Sequence, residues 1–112
     1  MAAYEIPNLR FSGEAGGNIA RRRFVKVNSS EQIVQAGAGD SVIGVSSQPA
    51  SAGEVAEIYD GIVMVEAGDA IQAGTDVESD DQGRAVPISS GRKAGCALTS
   101  TSAAGELVSV KL

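Results

Sequence analysis

Histidine and tryptophan are absent from this 112-residue sequence, and its aromatic residues are limited to two tyrosines and two phenylalanines. Histidine is the most used general base and the commonest metal ligand, so its absence removes the main donor for both roles. The single cysteine, Cys96, cannot close an intrachain disulfide. Because no histidine is present to activate it, we predict a buried, inert thiol. The sequence therefore predicts no catalytic residue, no cofactor-binding residue and no metal site.

The charge balance and the lack of long apolar runs argue against two further classes. The net charge of −5 opposes binding to nucleic acid, because phosphate contacts need a basic surface. No segment is apolar over the length that crosses a membrane, and the first residues lack the apolar run of a secretory signal. We expect no nucleic-acid and no membrane partner, and synthesis in a reducing, cytosolic compartment.

Glycines from residue 37 onward fall mostly six to ten residues apart, which is the spacing of turns between short strands. The segments between them are rich in β-branched residues, which favour strands over helices. These segments are residues 32–34, 42–45, 55–58, 62–65, 85–88 and 107–110. The pattern predicts an all-β domain over residues 23–112, either a small β-barrel or a β-sandwich of short strands.

Three local signals refine this prediction. Asp60-Gly61 between two apolar segments is typical of a hairpin. Asp80-Asp81-Gln82-Gly83 predicts a turn, since acidic side chains can accept backbone N–H groups and glycine tolerates a positive φ. Pro87 cannot donate to a neighbouring strand, so its segment is expected at a sheet edge or at a bulge.

The most informative pattern is a repeat about fifty residues apart, between residues 42–58 and residues 94–110. The first copy starts with Val42-Ile43-Gly44-Val45, and the second starts with Ala94-Gly95-Cys96-Ala97. A small, polar spacer follows, one residue longer in the second copy when counted from Gly95 than in the first when counted from Gly44, and then a Gly-Glu pair opens an alternating strand. Neither copy holds a chemically activated side chain, so the repeat indicates architecture rather than catalysis.

Residues 1–22 differ from the rest, because Pro7 and several glycines interrupt any regular period. We predict an extended N-terminal arm that becomes ordered on a partner. The alternatives are a disordered tail or a first edge strand at residues 9–12. Arg21-Arg22-Arg23 is the one basic run, and in an acidic chain it is expected to pair with an acidic surface of a partner protein.

Two other functions remain open from the residues alone. The acidic cluster in residues 76–81 is partly similar to a calcium loop, but its glycine and its final residue fall at the wrong positions. The Gly-Asp turns at Gly68 and Gly74 are similar to those of hammerhead carrier domains. Such domains need an exposed lysine at a hairpin tip, and Lys93 lacks the flanking methionines.

The order of these motifs resembles a family of tailed-bacteriophage capsid decoration (cement) proteins, over roughly residues 40–112. The residues that carry the resemblance are Val42-Ile43-Gly44-Val45, Ala52-Gly53-Glu54-Val55-Ala56, Gly61-Ile62-Val63-Met64-Val65-Glu66-Ala67-Gly68, Ala73-Gly74-Thr75-Asp76, Asp80-Asp81-Gln82-Gly83-Arg84-Ala85-Val86, Ala94-Gly95-Cys96-Ala97 and Ala104-Gly105-Glu106. Each motif is compositionally simple, so the specificity lies in their order.

The resemblance implies a non-enzymatic virion protein, made in the cytoplasm of the bacterial host, that binds the outer capsid surface. It implies contact with the major capsid protein, self-association as a homotrimer, and stabilisation of the shell against internal DNA pressure. No cofactor is implied. We expect the N-terminal arm to supply the capsid contacts: Tyr4, Ile6, Leu9, Phe11, Arg21, Arg22 and Arg23. The alternatives are a hammerhead-like carrier or binding domain and a virion surface adhesin.

Overall fold

The computed structural model describes residues 3–112 and shows nine β-strands and no helix within them. The strands are β1 (Ile6–Glu14), β2 (Phe24–Val27), β3 (Ile33–Gln35), β4 (Gly44–Ser46), β5 (Val55–Glu66), β6 (Asp76–Ser79), β7 (Ala85–Pro87), β8 (Gly95–Ala97) and β9 (Leu107–Lys111). They form one sheet in the order β3-β2-β4-β5-β9-β8-β6-β7, with β1 also paired to β5. The sheet is antiparallel and curves into a half-barrel. The all-β prediction is confirmed.

Turn chemistry explains where β6 ends and β7 begins. Asp80 Oδ1 accepts the backbone N–H groups of Gln82 and Arg84, each at 2.8 Å. Gly83 takes a φ of 73°, which a residue with a Cβ adopts only under strain. The turn predicted from this sequence is therefore confirmed. Pro87 lies in β7, the last strand of the sheet order, so its predicted edge position is also confirmed.

The repeat extends well beyond the two segments that the sequence suggested. Val25 on β2 pairs with Gln35 on β3, and Val77 on β6, 52 positions further on, pairs with Pro87 on β7. The same correspondence relates β4 to β8 and the first half of β5 to β9. The chain is thus built from two similar copies, joined within β5.

Strand pairing shows which residues of β4 and β8 are equivalent. Gly44 lies opposite Val25, and Gly95 lies opposite Val77, so these two glycines are equivalent. Counted from these glycines, the second copy has one more residue before its Gly-Glu pair, which agrees with the longer spacer seen in the sequence.

The N-terminal segment belongs to the first copy. Glu14 of β1 pairs with Val55, and 52 positions later Glu66 of β5 pairs with Leu107. β1 therefore takes the place in the first copy that the second half of β5 takes in the second copy. The edge strand that the sequence left as an alternative at residues 9–12 is present and longer than expected. The extended N-terminal arm is not confirmed.

The predicted hairpin at Asp60-Gly61 was wrong, since β5 runs without a break through both residues. Buried side chains in β5 change from even-numbered to odd-numbered positions across this point, from Ala56 and Ile58 to Val63 and Val65. Gly61 has a φ of 109°. The Asp-Gly pair thus forms the junction where one strand leaves the first copy and enters the second.

Two hydrophobic clusters follow from this arrangement. The cluster of the first copy contains Ala15, Ile19, Val25, Ile33, Ala50, Ala56 and Ile58. The cluster of the second copy contains Val63, Val65, Ala67, Ile71, Val77, Ala85, Ala97, Val108 and Val110. Phe24, Ala36 and Val45 come from the first copy but are buried in the second cluster. These three side chains join the copies into one body.

Candidate interaction surfaces

The predicted contact residues of β1 share one face of the sheet. Ile6 pairs with Ile62, and Phe11 pairs with Ile58, and a bulge between Pro7 and Leu9 shifts the register so that these side chains stay on one face. Phe11 packs partly buried against the first cluster. Ile6 and Leu9, further along the same strand, are 63% and 54% exposed. This face is therefore core at one end of β1 and exposed apolar surface at the other.

Tyr4 is attached to the opposite end of the chain. Its backbone N–H donates to the Ser109 hydroxyl at 2.6 Å, and that hydroxyl donates to the Tyr4 carbonyl at 2.5 Å. Ser109 is fully buried on β9. The side chain of Tyr4 remains 39% exposed. The segment before β1 therefore lies on the body of the protein, with its aromatic ring at the surface.

The three arginines occupy different environments. Arg21 is exposed. Arg22 Nη1 lies 2.5 Å from Glu5 Oε1, with both side chains mostly buried, and its guanidinium lies 5.9 Å from the centre of the Tyr59 ring. Arg23 Nη2 lies 3.2 Å from Glu66 Oε2. Two of the three predicted contact arginines thus form ion pairs within the chain, and binding of this run to a partner stays a prediction.

The acidic residues 76–81 do not converge in the structure. Asp80 is already bonded to Arg84, with 3.1 Å between its Oδ2 and the guanidinium Nε. Asp76 lies 3.4 Å from Lys93, the exposed lysine considered for a carrier role. Within residues 3–112, no three Cys, Asp or Glu side chains come together as metal ligands do. Cys96 is half-buried, so the expectation of full burial was wrong.

Two exposed turns occupy equivalent places in the two copies: the first tip, residues 51–55, and the second tip, residues 102–107. Each is closed by a glutamate that accepts a backbone N–H. Glu54 Oε1 accepts from Ser51 at 2.7 Å, and Glu106 Oε1 accepts from Ser102 at 3.0 Å. The side chain and backbone of Ser102 lower the pKa of Glu106 through these hydrogen bonds, so this carboxylate is ionised at neutral pH.

Each tip ends in an exposed aliphatic residue. Val55 is 73% exposed and Leu107 is 40% exposed. Both follow a Gly-Glu pair, and both glycines have positive φ, 87° at Gly53 and 95° at Gly105. The sequence showed these pairs as part of the repeat but not as surface. The sequence did contain a signal for these exposed residues, because both copies have an aliphatic residue after Gly-Glu. The turn itself requires only the glycine and the glutamate.

The fold is similar to that of a solved phage protein structure. The chain is similar to the N-terminal base of the head fiber protein gp8.5 of bacteriophage phi29, with a TM-score of 0.77 over 93% of this chain and 92% of that chain. Sequence identity is 20%, so this likeness shows a shared fold. Among proteins of curated function, none matches the chain significantly.

The family follows from the sequence profile of phage cement proteins, which matches residues 5–112. The chain belongs to the phage cement protein family, and the resemblance seen in the sequence is confirmed. The matched range includes β1, which the sequence motifs did not cover. The protein is therefore a structural, capsid-associated phage protein. Within the described part of the chain, no helix has the length and apolarity needed to span a membrane.

Proposed function

We propose that the protein binds the outer surface of the phage head, bridges neighbouring major capsid proteins and stabilises the shell against the pressure of packaged DNA. The observation that carries the proposal is the family match over residues 5–112. A two-copy body with a continuous central strand supports a mechanical role, because β5 has partners from both copies along its length. The protein acts without catalysis, cofactor or metal.

The exposed end of β1 is the contact surface that we propose from the first copy. Ile6 and Leu9 form an apolar stripe there, Tyr4 is exposed just before β1, and Arg21 is exposed in the segment between β1 and β2. Exposed aliphatic, tyrosine and arginine side chains together have the composition of protein–protein contact surfaces. This stripe contacts either the capsid or other copies of the protein in a homotrimer. The experiments below distinguish these two contacts.

The proposal is tested with DNA-filled heads from the source phage that lack this protein. Purified protein is added, and binding is followed by sedimentation with the heads. Heads that bind it should resist heat or loss of DNA better than bare heads. No binding to complete heads, or binding without any gain in resistance, would remove the cement function.

The contact surface is tested with a paired variant, Ile6→Ser with Leu9→Ser, against Val27→Ser as a matched control. Val27 is an exposed aliphatic on β2, a strand that does not pair with β1. We expect the paired variant to lose head binding or self-association while the control keeps both. Light scattering of the free protein reports the mass and thus tests the homotrimer. Equal behaviour of the paired variant and the control would exclude this surface.

A further inference from the structure

The repeat presents one exposed aliphatic residue twice, once in each copy. The exposed large apolar residues in the described chain are Tyr4, Ile6, Leu9, Val27, Val55, Ile88 and Leu107. Among these, Val55 and Leu107 are the one pair that stands 52 positions apart, at equivalent ends of the first and second tip. The residue equivalent to Val27 is Ser79, which is buried, so an exposed aliphatic is not a general consequence of the repeat.

The two tips lie at opposite ends of the molecule. The first tip leads into Val55, the first residue of β5, and Leu107 after the second tip pairs with Glu66, the last residue of β5. Eleven residue steps along a strand span about 36 Å at roughly 3.3 Å each. The longest dimension of the protein is 36 Å. The same surface feature is therefore presented twice, at the two ends of one body.

Both tips also share their charge. Residues 46–60 and 98–110 contain Glu54, Glu57, Asp60 and Glu106 but no lysine or arginine. In each tip the glutamate directly precedes the exposed aliphatic residue. A complementary surface therefore has an apolar depression with a basic residue at its rim.

We infer that each tip inserts its aliphatic residue into the same apolar, basic-rimmed site on a different capsid subunit, so that one molecule clamps two neighbours. This inference rests on the proposed function. A partner can use two equivalent tips at once only if its own site recurs at a matching distance. A capsid shell, built from many copies of one subunit, meets that condition.

Bivalent binding makes a quantitative difference between assembled and isolated subunits. On a shell, the second contact is intramolecular, and its loss typically reduces the overall affinity by about 10²- to 10⁴-fold. On an isolated capsid subunit only one tip binds at a time. Losing one of two equivalent tips there changes the apparent affinity by only about twofold.

The test compares Val55→Ser, Leu107→Ser and the double variant with the parent protein and with Val27→Ser. Binding is measured to heads lacking this protein and to isolated capsid subunits. Each single-tip variant should bind heads at least about 100-fold more weakly than the parent and isolated subunits about twofold more weakly. The double variant should bind neither. Val27→Ser should match the parent, and all variants should melt close to the parent temperature because the changed side chains are exposed.

The outcomes separate this inference from the proposed function. If the parent protein does not bind heads, both fail. If it binds and both single-tip variants bind equally well, the tips are not contacts and only the inference fails. If one tip alone matters, or if losses on heads and on isolated subunits are equal, the clamp is overturned in favour of a one-ended contact. Loss of the parent's self-association in the tip variants, with head binding kept, would mean that the tips join copies of this protein.

Discussion

The two copies have the same backbone conformation at equivalent positions but place different residue types there. Positive φ recurs at equivalent places, at Arg22 and Glu31 in the first copy and at Gly74 and Gly83 in the second. For a residue with a side chain, this conformation costs roughly 1–2 kcal/mol. The fold therefore imposes the conformation, and only the second copy uses the residue that adopts it without strain.

The copies also differ in the charged residues at two equivalent positions and in the contacts that these residues make. In the first copy, Lys26 Nζ lies 2.6 Å from Asp40. The equivalent positions hold Glu78 and Arg92, with the signs reversed. Glu78 is buried; its Oε1 accepts the Ser89 N–H at 3.2 Å, while its Oε2 has no hydrogen-bond partner. One copy thus satisfies its carboxylate, and the other leaves an oxygen unsatisfied.

The largest expected effect comes from the equivalent glycines on β4 and β8. A Cβ at Gly44 would lie 2.5 Å from Ile58 Cγ2 and 2.7 Å from the Tyr59 carbonyl oxygen. A Cβ at Gly95 would lie 2.7 Å from Val110 Cγ1. We expect Gly44→Ala and Gly95→Ala each to lower the free energy of unfolding by about 3 kcal/mol, because backbone must move to admit the methyl group. Urea unfolding measures both.

Gly17→Ala is the control for this pair, since no atom lies within 4 Å of its Cβ position. A loss below about 1 kcal/mol is expected there. If one of the β4 and β8 variants is destabilised much less than the other, the two copies do not rely equally on this close approach.

The positive-φ positions give opposite predictions for the two copies. Gly83→Ala should destabilise by about 2 kcal/mol, because it adds strain and places a Cβ 3.0 Å from the Phe24 carbonyl oxygen. Glu31→Gly should stabilise by about 0.5 kcal/mol, since relief of strain exceeds the added freedom of the unfolded chain. Thermal and urea unfolding give both values. Gly53→Ala, in open space at φ 87°, isolates the conformational cost alone. Destabilisation by Glu31→Gly would show that its side chain contributes more than its strain costs.

The buried carboxylate of the second copy predicts a gain of stability on neutralisation. Glu78→Gln should raise the free energy of unfolding by about 1 kcal/mol, because it removes a buried charge with an unsatisfied oxygen. The matched variant in the first copy, Asp40→Asn, should lower it by about 0.5 kcal/mol through loss of a largely solvated ion pair. Both are measured by urea unfolding at pH 7. A loss in both variants would indicate that Glu78 has a partner in solution.

The smallest effect is a pH dependence at Asp40. Its hydrogen bond from Lys26, and a second from the Gly37 backbone N–H, hold its pKa below the ordinary value of 3.8. A lowered folded-state pKa stabilises the fold above the unfolded-state value, and this stabilisation is lost as the pH falls through the folded-state pKa. The difference between the parent and Asp40→Asn should therefore be constant from pH 7 to pH 5, begin to fall only near pH 4, and disappear once the pH is below the lowered folded-state pKa. A difference that persists at pH 2 would contradict this origin.

Much of the local structure was predictable from the sequence. The strand segments and the turn at Asp80 to Gly83 were identified correctly, because β-branched residues and turn residues act through neighbouring backbone groups. The Gly-Glu turns of the repeat were also located correctly. The candidate contact residues Ile6 and Leu9 are exposed, as a contact role requires.

The wrong hairpin prediction concerns partners distant in sequence. Asp60-Gly61 has the local chemistry of a hairpin, but pairing of β5 with strands from both copies keeps it extended. The contacts of Arg22 with Glu5 and Tyr59 could not be read from the basic run either, and binding of that run to a partner stays a prediction. A turn signal or a charge run describes its own neighbourhood and contains no information about the chain that folds against it.

By itself, the sequence determined the β class, the positions of most turns and the presence of a repeat, since these depend on side-chain shape and backbone freedom over a few residues. Tertiary structure decided that β1 completes the first copy, that Phe24 and Val45 bind the copies together, and that the two tips lie beside the two ends of β5. These features depend on burial and strand pairing between residues far apart in the chain, as between Tyr4 and Ser109. These contacts stabilise the protein only once the sheet has formed.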